Sequence, residues 1–309
     1  MRIVFMGTPR AALPSLEKLV EKGYEIVAVY TQPDKPAGRG QRLAASPVKE
    51  FALSNGLEVF QPHKIKTAEQ IERFRSHKAD VVVVVAYGKI LPKEFLEAYP
   101  LGAVNVHFSL LPKYRGAAPV NWAIANGEKI TGVTTMKMNE GLDTGDILLQ
   151  RTVEIGEDET SSELMERLSL LGSELLLETL ENLDKIKPQK QDESLASYAP
   201  MLKKEDGLIN WQMTATEIRN RIRGFQPFPT CYTFFRGKKV TIWKAYEVPE
   251  RGEGEGMIAF ADKQLLVSCG SGTMLKIEEL QPEGKRRMTA SDFLNGWRPK
   301  TGEKFTNSP

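Results

Sequence analysis

The chain has 309 residues, too many for one typical domain and enough for two that each bury a core. Hydrophobic residues make up 41% and charged residues 27%, with a net charge of +2, as in ordinary globular proteins. The sequence contains no run of ~18 apolar residues that could span a bilayer, which argues against a membrane protein. The N-terminus enters an apolar strand without the features of a signal peptide, so a cytoplasmic protein is expected.

Short apolar runs alternate with amphipathic stretches through the first half of the chain. Strands are predicted at residues 3–6, 25–31, 80–86 and 103–107, and helices near 11–21 and 47–54. This alternation indicates a doubly wound, mostly parallel α/β sheet of the Rossmann-like kind, with helices on both faces. The five valines at 81–85 indicate a central strand that is buried on both faces.

A long helix is predicted as the last element of the first domain. Leucines recur with helical spacing from residue 161 to 186, after Thr160, which is a suitable N-cap. The following stretch is rich in Lys, Gln, Ser and Pro and has little apolar periodicity, as linkers do. The predicted organisation is therefore a catalytic domain at 1–189, a linker at 190–205 and a second domain at 206–309.

The second domain is predicted to be a small antiparallel barrel. One helix near 215–223 is followed by strands expected at 232–235, 239–248, 257–261, 264–268 and 274–279. Short strands at close spacing with glycine-containing turns favour an OB-like β-barrel. Its net charge is +4 against −2 for the remainder, an asymmetry that a solvated surface and an RNA partner explain about equally well.

Asn105 and His107 are the first candidates for chemistry. They stand at i and i+2 at the end of an apolar strand, so both side chains point to the same face. Their amide and imidazole are groups that can hold a developing oxyanion and manage a proton. Asp143, in the turn-rich segment 141–146, could orient the imidazole. Asp146 is interpreted as a solvated turn residue.

Neither a metal centre nor a thiol site is expected. The chain has three histidines, and none has a second His or Cys at ligand spacing. Cys231 and Cys269 form no CxxC pair and are interpreted as two reduced, buried thiols. Gly7 follows the first strand, but the second and third glycines of a dinucleotide motif are missing. The residues therefore favour metal-free acyl transfer and disfavour NAD binding.

Three motifs resemble the formyltransferases that use 10-formyltetrahydrofolate. They are Asn105-Val106-His107-Phe108-Ser109-Leu110-Leu111-Pro112, Tyr114-Arg115-Gly116-Ala117-Ala118-Pro119 and Gly141-Leu142-Asp143-Thr144-Gly145-Asp146. The resemblance implies that Asn105, His107 and Asp143 are catalytic. It also implies that 10-formyltetrahydrofolate binds along Ala86, Tyr87, Gly88, Ile90, Leu91, Ser109, Leu110, Leu111 and Pro112. Phe108 departs from the pattern, where a small residue is expected.

The same resemblance bears on the acceptor of the formyl group. The segment 34–43 carries Lys35, Arg39 and Arg42 among Gly and Pro, and the resemblance implies that this loop approaches the acceptor end of a charged initiator tRNA. The expected product is the formylated α-amine of its methionyl group, made by a monomer. Two alternatives stay open: a formyltransferase acting on a small amine such as glycinamide ribonucleotide or an amino sugar, and a noncatalytic RNA-binding protein.

Overall fold

The computed structural model describes residues 1–37, 42–261 and 264–309. Its contacts divide the chain into two compact units. The first comprises Met1–Pro119, Ile130–Glu154 and Met165–Ala199, and the second comprises Val120–Lys129, Ile155–Leu164 and Pro200–Pro309. The second unit thus includes two short segments from the middle of the chain. The sequence-based boundaries at residues 189 and 205 remain a prediction.

The first unit holds β1 to β11. They are β1 (Arg2–Gly7), β2 (Glu25–Tyr30), β3 (Lys35–Ala37), β4 (Arg42–Ala44), β5 (Val59–Phe60), β6 (Val81–Val85), β7 (Ala103–His107), β8 (Arg115–Gly116), β9 (Ile130–Lys137), β10 (Asp146–Glu154) and β11 (Tyr198–Ala199). Helices α1 to α4 lie between them, at Leu13–Glu21, Pro47–Ser54, Ala68–Ser76 and Lys93–Leu96. Helix α5 (Pro119–Ala125) falls in the second unit after its first residue, and α6 (Ser161–Glu181) falls in the first from Met165 onwards.

A seven-stranded sheet with the order β10-β9-β7-β6-β1-β2-β5 forms the core of the first unit. Strands β5, β2, β1, β6 and β7 are parallel, whereas β9 pairs antiparallel with β7 and β10 antiparallel with β9. The five valines of β6 are all buried, as their position in the middle of the sheet requires. These findings confirm the predicted mostly parallel α/β fold.

Local sequence explains where several of these elements begin and how they pack. Ser46 caps α2 by accepting a hydrogen bond from the Lys49 N–H, and Pro47 occupies its first turn. Gly172 of α6 lies against Val106 and Phe108; a Cβ there would come within 2.9 Å of Val106 and 3.4 Å of Phe108. Phe108 therefore packs on the same side of the sheet as Val106, which is opposite to that of Asn105 and His107.

The structure also contains elements that the sequence did not reveal. Helix α3 has only two large apolar residues, and the β3–β4 hairpin and the short strands β5, β8 and β11 are too brief for a periodic pattern. Helix α6 ends at Glu181, five residues before the predicted end. In the predicted linker, β11 pairs in parallel with β8. That stretch is therefore part of the first unit as far as Ala199.

The second unit is built on an antiparallel sheet. Its elements are α7 (Ala215–Gly224), β12 (Cys231–Phe235), β13 (Lys238–Val248), β14 (Ile258–Ala261), β15 (Gln264–Ser268), β16 (Met274–Pro282), β17 (Met288–Thr289) and α8 (Ala290–Trp297). The strand order is β12-β13-β16-β15-β14, with β17 on β16. Buried residues of α7, α8 and the strands, among them Ile218, Ile242 and Phe293, form its core. This curled sheet confirms the predicted small barrel-type fold.

Within the described ranges, none of the helices combines the length and the apolar character needed to cross a membrane.

Candidate active site

Asn105 and His107 lie at the carboxyl end of β7, near the middle of the first unit's sheet. Asn105 is paired with Val84 of β6 and with Met136 of β9, and His107 is paired with Thr134 of β9. Their exposures are 8% and 6%, so both side chains are almost enclosed. Ligands of open parallel sheets bind outside the carboxyl ends of the strands. The two polar side chains are therefore placed where a substrate is expected to bind.

A hydrogen bond to a backbone carbonyl orients the His107 ring. Its Nε2 lies 2.9 Å from the carbonyl oxygen of Tyr114. A carbonyl only accepts, so Nε2 carries the proton and donates it. The other nitrogen, Nδ1, lies 3.7 Å from Oδ2 of Asp143. The sequence indicated Asp143 as the group that orients the imidazole, but 3.7 Å is too long for a hydrogen bond, so the Tyr114 carbonyl provides the direct contact.

Asp143 is held by its own contacts beside this ring. Its Oδ2, the oxygen that faces His107, accepts a hydrogen bond of 2.8 Å from the backbone N–H of Gly116. Its backbone is in the left-handed region, with φ +53°. Such a conformation costs a non-glycine residue of order 1 kcal/mol and persists where surrounding contacts impose it. The structure therefore brings all three residues of the predicted catalytic set to one place.

The Asn105 side-chain amide makes no hydrogen bond with the described part of the chain, although the residue is almost enclosed. The amide atoms themselves are not fully buried, so they can be reached from outside the strand ends. An amide left without a protein partner beside an oriented imidazole can donate to an oxygen of a bound substrate. Together, the Asn105 N–H and the His107 Nδ1 can meet a developing negative charge and a proton.

Sequence reasoning missed the residues that hold this site together. Gln191 hydrogen-bonds to the backbone carbonyls of Asp143 and Gly145 at 2.8 and 2.7 Å. Arg115, which is only 1% exposed, binds Gln191 and Glu193. The signal for Arg115 was present, since it belongs to one of the recognised motifs. Gln191 lies in a polar stretch without periodicity and had no such signal.

The residues implied for folate binding differ in exposure. Ala86, Gly88 and Ile90 are exposed, with Ile90 at 69%, whereas Tyr87, Leu91, Ser109 and Leu111 are buried and Leu110 and Pro112 are half-buried. Burial raises the pKa of Tyr87 to about 12. The Ser109 hydroxyl donates to the Lys113 carbonyl at 2.7 Å. The exposed members of the set, with Ala86 and Gly88 at positive φ, can thus offer backbone groups to a ligand.

In the described part of the basic segment at 34–43, β3 pairs antiparallel with β4, and Lys35 lies opposite Ala44. Lys35 is exposed, whereas Arg39 and the side chain of Arg42 lie outside the described residues. The base of the hairpin is anchored: Lys49 Nζ donates to Asp34 Oδ2 at 2.6 Å and to Gln61 Oε1 at 2.7 Å. The hydrogen bond from Lys49 is the main cause of a lowered Asp34 pKa.

In the second unit, two of the three α7 arginines are occupied by local contacts. Arg219 pairs with Asp158 at 2.7 Å. Arg223, which is 9% exposed, donates to the carbonyls of Gly156 and Glu159. Two other basic side chains of this unit lie over half-buried aromatic rings of its sheet: Lys239 is 4.0 Å from the Tyr232 ring centroid, and the Arg287 guanidinium is 5.0 Å from that of Trp243.

The two cysteines are free and buried, as the sequence predicted. Burial raises the pKa of both thiols to about 12. In the ranges that the structure describes, no group of three or more His, Cys, Asp or Glu side chains is placed to hold a metal ion.

Known proteins resemble this chain over its whole length. Residues 1–180 match the formyl transferase family and residues 201–298 match the formyl transferase C-terminal domain. Methionyl-tRNA formyltransferase of Solibacter usitatus is 50% identical over 307 residues, covering 99% of this chain and 98% of the relative. Methionyl-tRNA formyltransferase of Caldanaerobacter subterraneus is 51% identical over 300 residues, covering 96% of this chain and 97% of the relative.

A solved structure agrees at the level of the fold. The N-formyltransferase of Helicobacter canadensis, determined in complex with folinic acid and dTDP-3-aminofucose, has a TM-score of 0.69 and 22% identity, covering 91% of this chain and 98% of that one. From the two matching domains and the relatives at about half identity, the chain belongs to the formyl transferase family.

Proposed function

We propose that this protein transfers the formyl group of 10-formyltetrahydrofolate to the α-amine of methionyl-tRNA, giving N-formylmethionyl-tRNA for translation initiation, with Asn105, His107 and Asp143 as catalytic residues. Relatives of about 50% identity over nearly the full length carry the name methionyl-tRNA formyltransferase, which supports the choice of acceptor. The observation that carries the chemistry is the accessible, unpaired amide of Asn105 beside the oriented His107 ring.

Each of the three side chains has a distinct role in this proposal. The bound folate supplies the formyl group. The Asn105 amide donates a hydrogen bond to the formyl oxygen as negative charge develops there. The α-amine attacks the formyl carbon. His107 keeps its Nε2 proton on the Tyr114 carbonyl, takes at Nδ1 the proton that the attacking amine loses, and gives it to folate N10 as the bond between N10 and the formyl carbon breaks and tetrahydrofolate leaves. The Asp143 carboxylate, 3.7 Å from Nδ1, stabilises the resulting imidazolium by charge attraction.

The folate would bind along two segments, Ala86 to Leu91 without Lys89, and Ser109 to Pro112. The exposed backbone at Ala86 and Gly88 can hydrogen-bond to the pterin, and the exposed Ile90 can cover an apolar face. Lys89 instead fixes this loop, because its Nζ donates to the carbonyls of Pro62 and His63 at 2.6 and 3.0 Å. Those contacts leave the loop anchored at one end while its outer residues stay available to a ligand.

The tRNA would contact both units. Lys35, Arg39 and Arg42 would approach its acceptor end, since a basic loop suits phosphate contacts. On the second unit, the aromatic rings of Tyr232 and Trp243 with their associated basic residues suit the stacking and phosphate contacts of an OB-like domain. In this account residues 1–189 catalyse, 190–205 link, and 206–309 bind RNA in a cytoplasmic monomer.

A formylation assay with three acceptors tests the proposal. The purified protein is incubated with methionyl-tRNA, glycinamide ribonucleotide or an amino sugar nucleotide, each with 10-formyltetrahydrofolate present or omitted. We expect formylated product with methionyl-tRNA but with neither small amine, and only when the folate is present. Preferential formylation of either small amine would reject the tRNA assignment. Folate-dependent binding without turnover of any acceptor would reject catalysis.

A further inference from the structure

The Gln191 amide uses both of its ends to connect two parts of the site. Its Nε2 donates to the carbonyls of Asp143 and Gly145 at 2.8 and 2.7 Å. Its Oε1 accepts from Nε and Nη2 of Arg115 at 3.0 and 2.8 Å. A glutamine that makes four hydrogen bonds of this length has a fixed orientation, because no other rotamer satisfies all of them.

What Gln191 holds is the strained part of the site. Asp143 has φ +53°, a conformation that its neighbours must impose. Gly145 packs directly against the backbone of β9, since a Cβ there would lie 1.9 Å from the Lys137 carbonyl oxygen. By binding the carbonyls on either side of Thr144, Gln191 determines where the Asp143 carboxylate points, and thus its distance from His107.

Arg115 fixes Gln191 in turn. It is 1% exposed, and its guanidinium also binds Glu193 through Nη1 and Nη2, each at 2.8 Å. The Glu193 contact raises the pKa of Arg115, and the same contact lowers that of Glu193. A buried guanidinium held bidentately in this way is a rigid donor. Gln191 therefore receives its orientation from a fixed group and passes it to the Asp143 turn.

The next residues, from Glu193 to Ala199, hold the opposite side of the site. Tyr114 N–H donates to Ser197 Oγ at 2.9 Å, and β8 pairs with β11. Tyr114 carries the carbonyl that orients His107, and Gly116 carries the N–H that binds the Asp143 carboxylate. One stretch of chain thus supports the partners of both His107 and Asp143.

We propose that Gln191 is a positioning residue for Asp143, and that residues 191–199 form a strap that sets the separation of His107 and Asp143. The inference rests on the proposed catalytic role of Asp143. Gln191 acts by holding the turn, 48 residues away in sequence, that carries the carboxylate. A shift of ~1 Å in a reacting group costs up to ~100-fold in rate, so loss of this support should be visible in kcat.

The test compares Gln191→Glu with Gln189→Glu. The first variant keeps the size of the side chain but replaces the Nε2 donor by an acceptor facing two carbonyls. The second makes the same change at an exposed position two residues away. We expect Gln191→Glu to lower kcat roughly 10-fold or more with both KM values within about twofold of wild type. Gln189→Glu should match wild type. Gln191→Met, which removes the hydrogen bonds without adding charge, should show the same split.

A double-mutant cycle with Asp143→Asn separates positioning from a merely structural role. If Gln191 acts through Asp143, Gln191→Glu should lower kcat less than about twofold once Asp143 is already Asn. The inference would be overturned if the loss of kcat in the double variant equalled the product of the losses in the two single variants, or if both Gln191 variants kept wild-type kcat. Neither result would affect the proposed role of Asp143. Wild-type kcat in Asp143→Asn by itself would instead overturn the proposed role of Asp143 and the inference with it.

Discussion

The His107 ring donates its Nε2 proton to the Tyr114 carbonyl at 2.9 Å, and this hydrogen bond determines that Nδ1 is the nitrogen beside Asp143. A backbone carbonyl cannot titrate or rotate away as a side chain can. The ring is therefore oriented independently of the carboxylate, which lies 3.7 Å away, beyond hydrogen-bond distance, and in the proposed mechanism acts by its charge. This arrangement makes the backbone at Tyr114 to Gly116 as important to the site as the side chains proposed to be catalytic.

Gly116 should tolerate no side chain. Its φ is +121°, and a Cβ would lie 2.6 Å from the Ala199 carbonyl oxygen, so Gly116→Ala must displace the N–H that binds Asp143. We expect the free energy of unfolding to fall by ~2 kcal/mol or more and kcat to fall at least ~10-fold. Urea unfolding and steady-state formylation measure the two effects.

Gly23→Ala is the matched control for this substitution. Gly23 also has a positive φ, +76°, but a Cβ there would have nothing within 4 Å. Gly23→Ala should lower the free energy of unfolding by ~1 kcal/mol, from backbone strain alone, and leave kcat unchanged. Equal effects of the two substitutions on kcat would contradict the role assigned to the Gly116 N–H.

The anchored base of the β3–β4 hairpin should matter for tRNA more than for folate. Lys49→Met removes the hydrogen bonds to Asp34 and Gln61. We expect the KM for methionyl-tRNA to rise roughly fivefold, which corresponds to the ~1 kcal/mol net value of a typical hydrogen bond, while the KM for 10-formyltetrahydrofolate is unchanged. Lys22→Met, at an exposed position, is the control for lost charge. A rise in the folate KM as large as that for tRNA would count against the separation of the two sites.

The Arg115–Glu193 contact gives the strap a pH dependence. Arg115 lowers the pKa of Glu193 in the folded protein below its ordinary value of 4.5. The stabilisation is therefore fully present above pH 4.5 and is lost as the pH falls through the lowered folded pKa. Wild type should exceed Glu193→Gln in free energy of unfolding at pH 7, and the difference should shrink below pH 4.

Because Glu193 is exposed, 1 M salt should also reduce the difference between wild type and Glu193→Gln. Urea titrations of both proteins at pH 7 and at a pH below 4, with and without salt, check this prediction. A difference that is constant with pH would mean that Glu193 acts by packing rather than by charge.

How far the sequence could predict this structure depended on whether a residue's role is local. The bounds of β7 and the shared face of Asn105 and His107 followed from strand periodicity, and both are confirmed. Gln191 offered no such pattern, because its role arises from contacts with residues distant in sequence. Arg223 illustrates the same difficulty: in the sequence it resembles a solvated charge, whereas the structure buries it against the carbonyls of Gly156 and Glu159.

The single-turnover rate of formyl transfer to methionyl-tRNA, measured at saturating 10-formyltetrahydrofolate, tests the catalytic assignment most directly. We predict that Asn105→Ala and His107→Ala each lower this rate ~100-fold or more, the usual cost of losing an oxyanion donor, while circular dichroism and urea unfolding remain close to wild type. Asn295→Ala, at an exposed position in α8, should react like wild type. A folded Asn105→Ala or His107→Ala protein that reacts at the wild-type rate would contradict the catalytic assignment.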